Sequence, residues 1–103
     1  MRDHMKAIQE LVDKIDEELE GAKDYAESYL MCKAKGNSTW SQRYKEMAYD
    51  ELKHSEYIHD KAVEEIEKLR TVYTAPVDMQ EAWDKSHKRY VECASWIKTM
   101  LTM

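Results

Sequence analysis

The 103-residue sequence contains no phenylalanine, one proline and only two glycines. Glycine and proline form many of the tight turns that join β-strands, so their scarcity leaves little room for a sheet. Charged residues make up 36% of the chain, and this composition is typical of helical proteins. We therefore expect an all-α protein, and the length predicts a single domain whose modest core self-association would enlarge.

The sequence also lacks paired cysteine motifs, long apolar segments and a net positive charge, and each absence argues against a kind of site or partner. Cys32 and Cys93 lack Cys-x-x-Cys spacing, which argues against a zinc ribbon or a rubredoxin-type iron site, and we expect both thiols to be reduced. No apolar run approaches the roughly 20 residues that cross a bilayer, and no signal-type apolar stretch follows the first residues. The formal net charge of −5 argues against nucleic acid as a partner. We expect a cytoplasmic protein that binds neither membranes nor nucleic acid.

The turn-forming residues predict three helices, over about residues 4–34, 39–73 and 79–101. Gly36 can adopt the left-handed conformation that ends the first helix, and Ser38, Thr39 or Ser41 is expected to begin the second. Pro76 ends the second helix. Because the first connection is short, the first two helices should form a long antiparallel hairpin. The third helix then covers one side of this hairpin or reaches another subunit.

Ionisable residues interrupt the apolar stripes of both long helices. Steps of three and four residues keep a stripe on one helix face, and Glu18 lies within the first stripe while Glu51 and His54 lie within the second. Burying an unpaired carboxylate costs several kcal/mol, so these groups need partners, and we favour a bound metal. The stripes comprise Ile8, Leu11, Ile15, Glu18, Ala22, Tyr25 and Tyr29, and then Trp40, Tyr44, Met47, Glu51, His54, Ile58 and Ala62.

Glu51 and His54 are three residues apart, so a carboxylate and an imidazole can reach one cation from the same helix face. Glu-x-x-His alone is a weak motif, because it occurs by chance on many charged helices. Glu18 on the neighbouring helix strengthens it: a bundle-core di-metal site takes one Glu and one Glu-x-x-His from each half. Two copies of the chain would bring four carboxylates and two imidazoles around two divalent cations. We therefore predict a homodimer or higher oligomer with Glu18, Glu51 and His54 as metal ligands.

These residues resemble the ferritin-like superfamily, in particular rubrerythrin-type di-iron proteins and the two-helix encapsulated ferritins that complete a bundle by dimerising. The resemblance covers about residues 8–70, by pattern rather than by extended identity. Tyr25 follows Glu18 by seven residues and Glu51 follows it by 33, which is similar to the hairpin of rubrerythrins. The stretch Glu17-Glu18-Leu19-Glu20 resembles the first helix of encapsulated ferritins.

The resemblance implies a ferritin-like bundle that dimerisation completes, with two iron ions per dimer and oxidation of Fe(II) by oxygen or peroxide as the activity. The three predicted ligands would hold the metal, although manganese or zinc also suits their donor atoms. Tyr25 would act beside the metal, by orienting a ligand or taking part in electron transfer. Glu17 and Glu20 would line a route of metal entry.

The chain also departs from this family. Full-length relatives carry a second Glu and a second Glu-x-x-His, whereas the third helix offers only Asp84-x-x-His87. We interpret that motif as a solvated aspartate and an interfacial histidine, and we expect His59 and His4 at the surface. A metal-free helical interaction or assembly protein, in which the three predicted ligands merely pair with one another, therefore stays open as an alternative function.

Overall fold

The computed structural model describes the backbone of residues 2–72 and 77–103 and the side chains of residues 3–71 and 79–103. Its elements are three helices, α1 (Arg2–Ala34), α2 (Ser38–Val72) and α3 (Val77–Leu101). The prediction of an all-α protein is confirmed for these residues. Among them, no helix combines the length and the apolar content that a bilayer crossing requires. The predicted helix end at Tyr73 and the connector around Pro76 lie outside the described residues.

A three-residue turn reverses the chain between α1 and α2. Gly36 has a φ of 75°, the left-handed conformation expected at this position. The N–H of Asn37 donates to the carbonyl of Cys32 at 2.9 Å, which is the long hydrogen bond of a Schellman motif. α2 begins at Ser38, one of the three predicted starts, but the capping side chain is that of Asn37, whose Oδ1 accepts the Trp40 N–H at 3.2 Å. The backbone of Asn37 thus completes the C-terminal motif of α1, and its side chain caps α2.

α3 packs along one side of the α1–α2 hairpin and runs parallel to α1. Met79, near the start of α3, packs against Ile8 near the start of α1. At the other end, Lys33 Nζ donates a hydrogen bond to the backbone oxygen of Met103, just after α3. Between these ends, Arg89 of α3 makes a bidentate contact with Asp16 of α1, at 2.7 and 3.2 Å. The contacts at both ends and in the middle set the register of α3 on α1.

The main core lies between the three helices. Its largest fully buried apolar side chains are Ile15, Ile97 and Leu101, and burying a side chain of this size contributes about 1.5–3 kcal/mol. Small alanines between them let the helices approach closely. The cluster comprises Ile15, Leu19, Ala22, Ala26, Tyr29, Ala48, Leu52, Ala62, Ala94, Ile97, Met100 and Leu101.

The structure divides the first predicted stripe between two faces of α1. Four of its residues are buried: Ile8, Ile15, Ala22 and Tyr29. The other three are half-buried: Leu11, Glu18 and Tyr25. The expectation that Glu18 lies in the middle of the apolar seam is therefore corrected: it lies at the edge of the core. Within the described residues, no helix covers this edge of the hairpin.

Candidate metal centre

Glu18, Glu51 and His54 lie together on the open face of the α1–α2 hairpin. Asp16, which pairs with Arg89 of α3, precedes Glu18 by two residues, and two residues turn a helix by about 200°. Glu18 therefore faces away from α3. The side chains of Glu18 and Glu51 are 27% and 26% exposed, whereas that of His54, which was expected to point inward, is 54% exposed. The three groups border the core and keep access to solvent.

The three side chains present their donor atoms to one small volume. One oxygen from each carboxylate and one imidazole nitrogen all lie within 4.8 Å of one another. His54 Nδ1 is 3.6 Å from Glu18 Oε2 and 3.9 Å from Glu51 Oε1. Two of the groups come from one face of α2, because they are three residues apart, and the third comes from α1 directly opposite. The hairpin thus brings together the residues that the sequence pattern singled out.

The two carboxyl groups perturb each other strongly. A hydrogen bond with Glu18, then burial, then the negative charge of Glu18 raise the pKa of Glu51 from 4.5 to about 7, while His54 opposes the shift. Two carboxylates this close resist ionising together, and a proton or a cation between them relieves the repulsion. At neutral pH the cluster is therefore poised to exchange a proton for a metal ion.

Gly21 provides the space that Glu51 occupies. A Cβ atom at Gly21 would lie 3.1 Å from Glu51 Oε2 and 3.6 Å from Glu51 Cδ, and the first distance is shorter than ordinary van der Waals contact. The sequence alone marked Gly21 only as a weak point of the first helix, since glycine lowers helix stability. In the structure its missing side chain lets the Glu51 carboxylate rest against α1, close to Glu18.

Half-buried apolar side chains flank the cluster along the same open face. On one side, the rings of Tyr25 and Tyr44 stack with centroids 6.2 Å apart. On the other side, Leu11 and Ile58 pack against the edge of the main core. Tyr25 lies two turns from Glu18, about 10 Å along the helix axis, so it flanks the cluster rather than belonging to it.

The donor set fits a divalent transition metal. Carboxylate oxygens and an imidazole nitrogen are ligands for iron, manganese and zinc. Three protein donors leave coordination positions open, since such ions take at least four ligands. These are the Glu and the Glu-x-x-His that the sequence analysis predicted as one half of a bundle-core di-metal site. Cys32 and Cys93 are both free and partly buried.

Glu17 and Glu20, the residues of the predicted entry route, have different surroundings on α1. Glu17 is exposed beside Glu18. Glu20 instead lines a groove between α1 and α3 together with Arg89 and Cys93. This groove is on the other side of α1 from the cluster, so the position of Glu20 does not fit an entry route to it.

Two of the three histidines outside the cluster, His59 and His87, meet at another face of α2. His59 was expected at the surface, but its side chain is only 14% exposed, and its Nε2 lies 2.8 Å from Nδ1 of His87. His87 is exposed at the boundary between α2 and α3, while Asp84 accepts a hydrogen bond from Gln80 at 2.9 Å. The sequence pattern missed His59 because its partners are on α3 and not on its own helix.

Comparisons with models of protein families, with curated proteins and with solved structures found no match. The resemblance to ferritin-like proteins therefore stays a prediction from the residues. The functional assignment depends on the geometry of Glu18, Glu51 and His54.

Proposed function

We propose that two copies of this chain bind divalent iron between them, at about one ion per chain, in a ferritin-like di-metal carboxylate centre that promotes the oxidation of Fe(II). The observation that carries this proposal is the convergence of Glu18, Glu51 and His54 within 4.8 Å. Iron is the substrate in this proposal, and manganese or zinc can occupy the same donors.

The charge of the cluster favours a cation as its partner. Two ionised carboxylates and a neutral imidazole carry two negative charges, which one divalent ion balances. Without that ion the cluster retains a proton near neutral pH, because the pKa of Glu51 is raised to about 7. Metal binding releases this proton, so Glu51 is the residue whose state changes most on binding.

The open face favours a second copy of the chain as the partner. The cluster is half of a ligand set, and a two-fold axis beside it would supply the other half. The same contact would cover the half-buried apolar residues on both sides, which include Leu11, Tyr25, Tyr44 and Ile58. Burying them adds a hydrophobic contribution to assembly. In the dimer, four carboxylates neutralise two divalent ions.

Each residue then has a defined part in the site. Glu51, which lies against α1 and next to Glu18, would bridge the two ions. His54 contributes Nδ1 as a neutral donor, and Glu18 holds the ion from the other helix. Bound iron supplies the electrons that reduce oxygen or peroxide. Tyr25, two turns away, can orient the surrounding side chains through its hydroxyl group and its ring contact with Tyr44.

One observation supports the competing function, a metal-free helical interaction or assembly protein. His54 lies within 4.0 Å of both carboxylates, so the three side chains can pair with one another without a metal. In that case the open face still associates with another chain, but it binds no metal. Metal content therefore separates the two functions.

The decisive experiment measures iron after anaerobic loading with Fe(II) and desalting. We expect about one iron per chain in the wild-type protein and a loss of most of it in Glu51→Ala. Glu67→Ala, which removes an exposed carboxylate elsewhere on α2, is the matched control and should retain the iron. Equal iron in the wild type and in Glu51→Ala contradicts the site, and a wild type that takes up no iron favours the metal-free function.

A second experiment tests the shared geometry. Light scattering should give a dimer, or a multiple of it, for the loaded protein. Ile58→Asp places a charge on the open face and should yield monomers with weakened iron binding. Val91→Asp, at an exposed position of α3, is the control and should leave the assembly intact. A wild-type monomer that holds about one iron per chain contradicts a site shared between copies.

Oxygen consumption after the addition of Fe(II) tests the reaction itself. The wild type should consume oxygen faster than buffer alone, and Glu51→Ala should not. Tyr25→Phe should slow oxidation while leaving the iron content unchanged, because it removes only a hydroxyl group outside the ligand set. Iron binding without faster oxidation would restrict the proposal to sequestration.

A further inference from the structure

His59 of α2 and His87 of α3 form a second cluster, separate from the one above. His59 follows His54 by five residues, which places it about 140° further round α2. Its Nε2 is 2.8 Å from Nδ1 of His87. Two neutral imidazoles in this arrangement share one hydrogen bond, with one nitrogen donating and the other accepting.

Aromatic contacts hold the His59 ring in place. The ring stacks on Tyr90 with centroids 4.5 Å apart and an angle of 12° between the planes, and on Trp83 with centroids 5.5 Å apart. All three partners, His87, Tyr90 and Trp83, belong to α3. The ring is therefore held in one orientation, and its Nε2 points at the only other imidazole nearby among the described residues.

The surroundings of His59 favour its neutral imidazole, the form that binds metal. Burial, followed by the proximity of His87, lowers the pKa of His59, and Asp60 opposes this shift. Nδ1 of His59 lies 3.8 Å from Oδ1 of Asp60, so the carboxylate attracts the ring proton to Nδ1. Nε2 is then unprotonated, and its lone pair is free to bind a metal.

The distance between the two nitrogens also suits chelation. Two nitrogens bound to one ion at about 2.0–2.1 Å are about 2.9–3.3 Å apart, depending on the angle at the metal. The observed 2.8 Å requires only a small opening of the pair. His87 is exposed, so it can adopt the tautomer with its proton on Nε2, facing solvent, which frees Nδ1 for the ion. Water can complete the coordination.

We propose that His59 and His87 form a second cation site, which takes a divalent ion that favours imidazole nitrogen, such as Zn²⁺, Cu²⁺ or Ni²⁺, and which fastens α3 to α2. The ion replaces the hydrogen bond between the two rings. No net proton is released, because each imidazole keeps one N–H. The site is independent of the proposed iron centre and uses none of its ligands.

The test uses Cu²⁺ as the probe, because it quenches the fluorescence of a nearby tryptophan. The ring centroid of Trp83 is 5.5 Å from that of His59 and 6.1 Å from that of His87. The titration is made in Glu51→Gln, so that the first cluster does not compete. We expect about one equivalent of Cu²⁺ to quench part of the emission, and adding His87→Ala to weaken this binding about tenfold or more.

Controls keep the outcome specific. His4→Ala removes an exposed histidine of α1 and should leave the titration unchanged. His87→Gln, together with circular dichroism, separates loss of a ligand from loss of fold, since an amide at this exposed position preserves polarity. Quenching with the same midpoint in the His87 variants and in their parent would overturn the proposal. This result would not affect the iron centre, whose ligands are intact in His87→Ala alone.

Discussion

Replacing Glu51 with glutamine is expected to stabilise the metal-free protein and to abolish the proposed iron binding. The donor oxygens of Glu18 and Glu51 lie within 4.8 Å of each other. At that distance, two like charges repel by about 0.9 kcal/mol at the dielectric of water and by about 3.5 kcal/mol at an effective dielectric of 20. Because each side chain is about one-quarter exposed, we expect a gain near the lower half of this range, about 1–2 kcal/mol.

The pH dependence of this gain follows from the raised pKa of Glu51, about 7 against an ordinary value of 4.5. Between these values the folded protein holds a proton that the unfolded chain has released, so this group favours folding fully below pH 4.5 and loses that contribution as the pH rises through 7. Glutamine does not titrate. The advantage of Glu51→Gln over the wild type should therefore be small near pH 5 and full at pH 8.

The assay is urea unfolding followed by circular dichroism, with a chelator present, at pH 5 and pH 8. Glu67→Gln is the control, because it removes an exposed carboxylate of α2 without touching the cluster. Saturating metal should reverse the order at pH 8, since an ion at 100 times its dissociation constant stabilises the wild type by about 2.7 kcal/mol. A Glu51→Gln protein that is less stable than the wild type at pH 8 without metal, or equally improved at both pH values, refutes the reasoning.

Three further predictions concern positions around the two clusters. Gly21→Ala should leave the metal-free protein as stable or up to about 1 kcal/mol more stable, yet weaken iron binding, because the new Cβ displaces the Glu51 carboxylate; unchanged iron binding in a titration would contradict this. The second prediction is made in Glu51→Gln, because the titration of Glu51 changes stability in the opposite direction. The pKa of His59 is lowered in the folded state, so the stability that neutral His59 confers should be present above pH 6.5 and be lost as the pH falls. A urea midpoint that stays flat from pH 7.5 to 5.5, or one that falls equally when His87→Ala is added, would count against it. Ile97→Ala should cost about 2–5 kcal/mol in the same unfolding assay, because its side chain is fully buried, and a loss below about 1 kcal/mol would mean that α3 contributes little to the core.

Local features of the chain predicted the helices well. The left-handed residue at Gly36 and the short turn after it follow from backbone geometry that neighbouring residues determine. The gathering of Glu18, Glu51 and His54 also followed from helical spacing, once the hairpin was assumed. The capping side chain of α2 was harder, because Asn37 and the hydroxyl residues after it all suit that position, and only the hydrogen bond to Trp40 distinguishes them.

Long-range contacts explain what the sequence pattern missed. The pairing of His59 with His87 joins residues of different helices, and no periodicity within α2 predicts it. The space at Gly21 likewise has meaning only once Glu51 of the other helix lies against it. Side chains that interact across helices depend on the register and separation of the helices, which a stripe on one helix does not specify.

The sequence by itself determined three helices, a hairpin between the first two and a set of ionisable residues on their apolar sides. Only the tertiary structure decided which part of each apolar stripe α3 covers. A stripe with steps of three and four residues is wide enough to face two neighbours, so Ile15 is buried beneath α3 while Glu18, three residues later, stays at the open edge. That choice leaves the three side chains of the cluster accessible to solvent on a single chain.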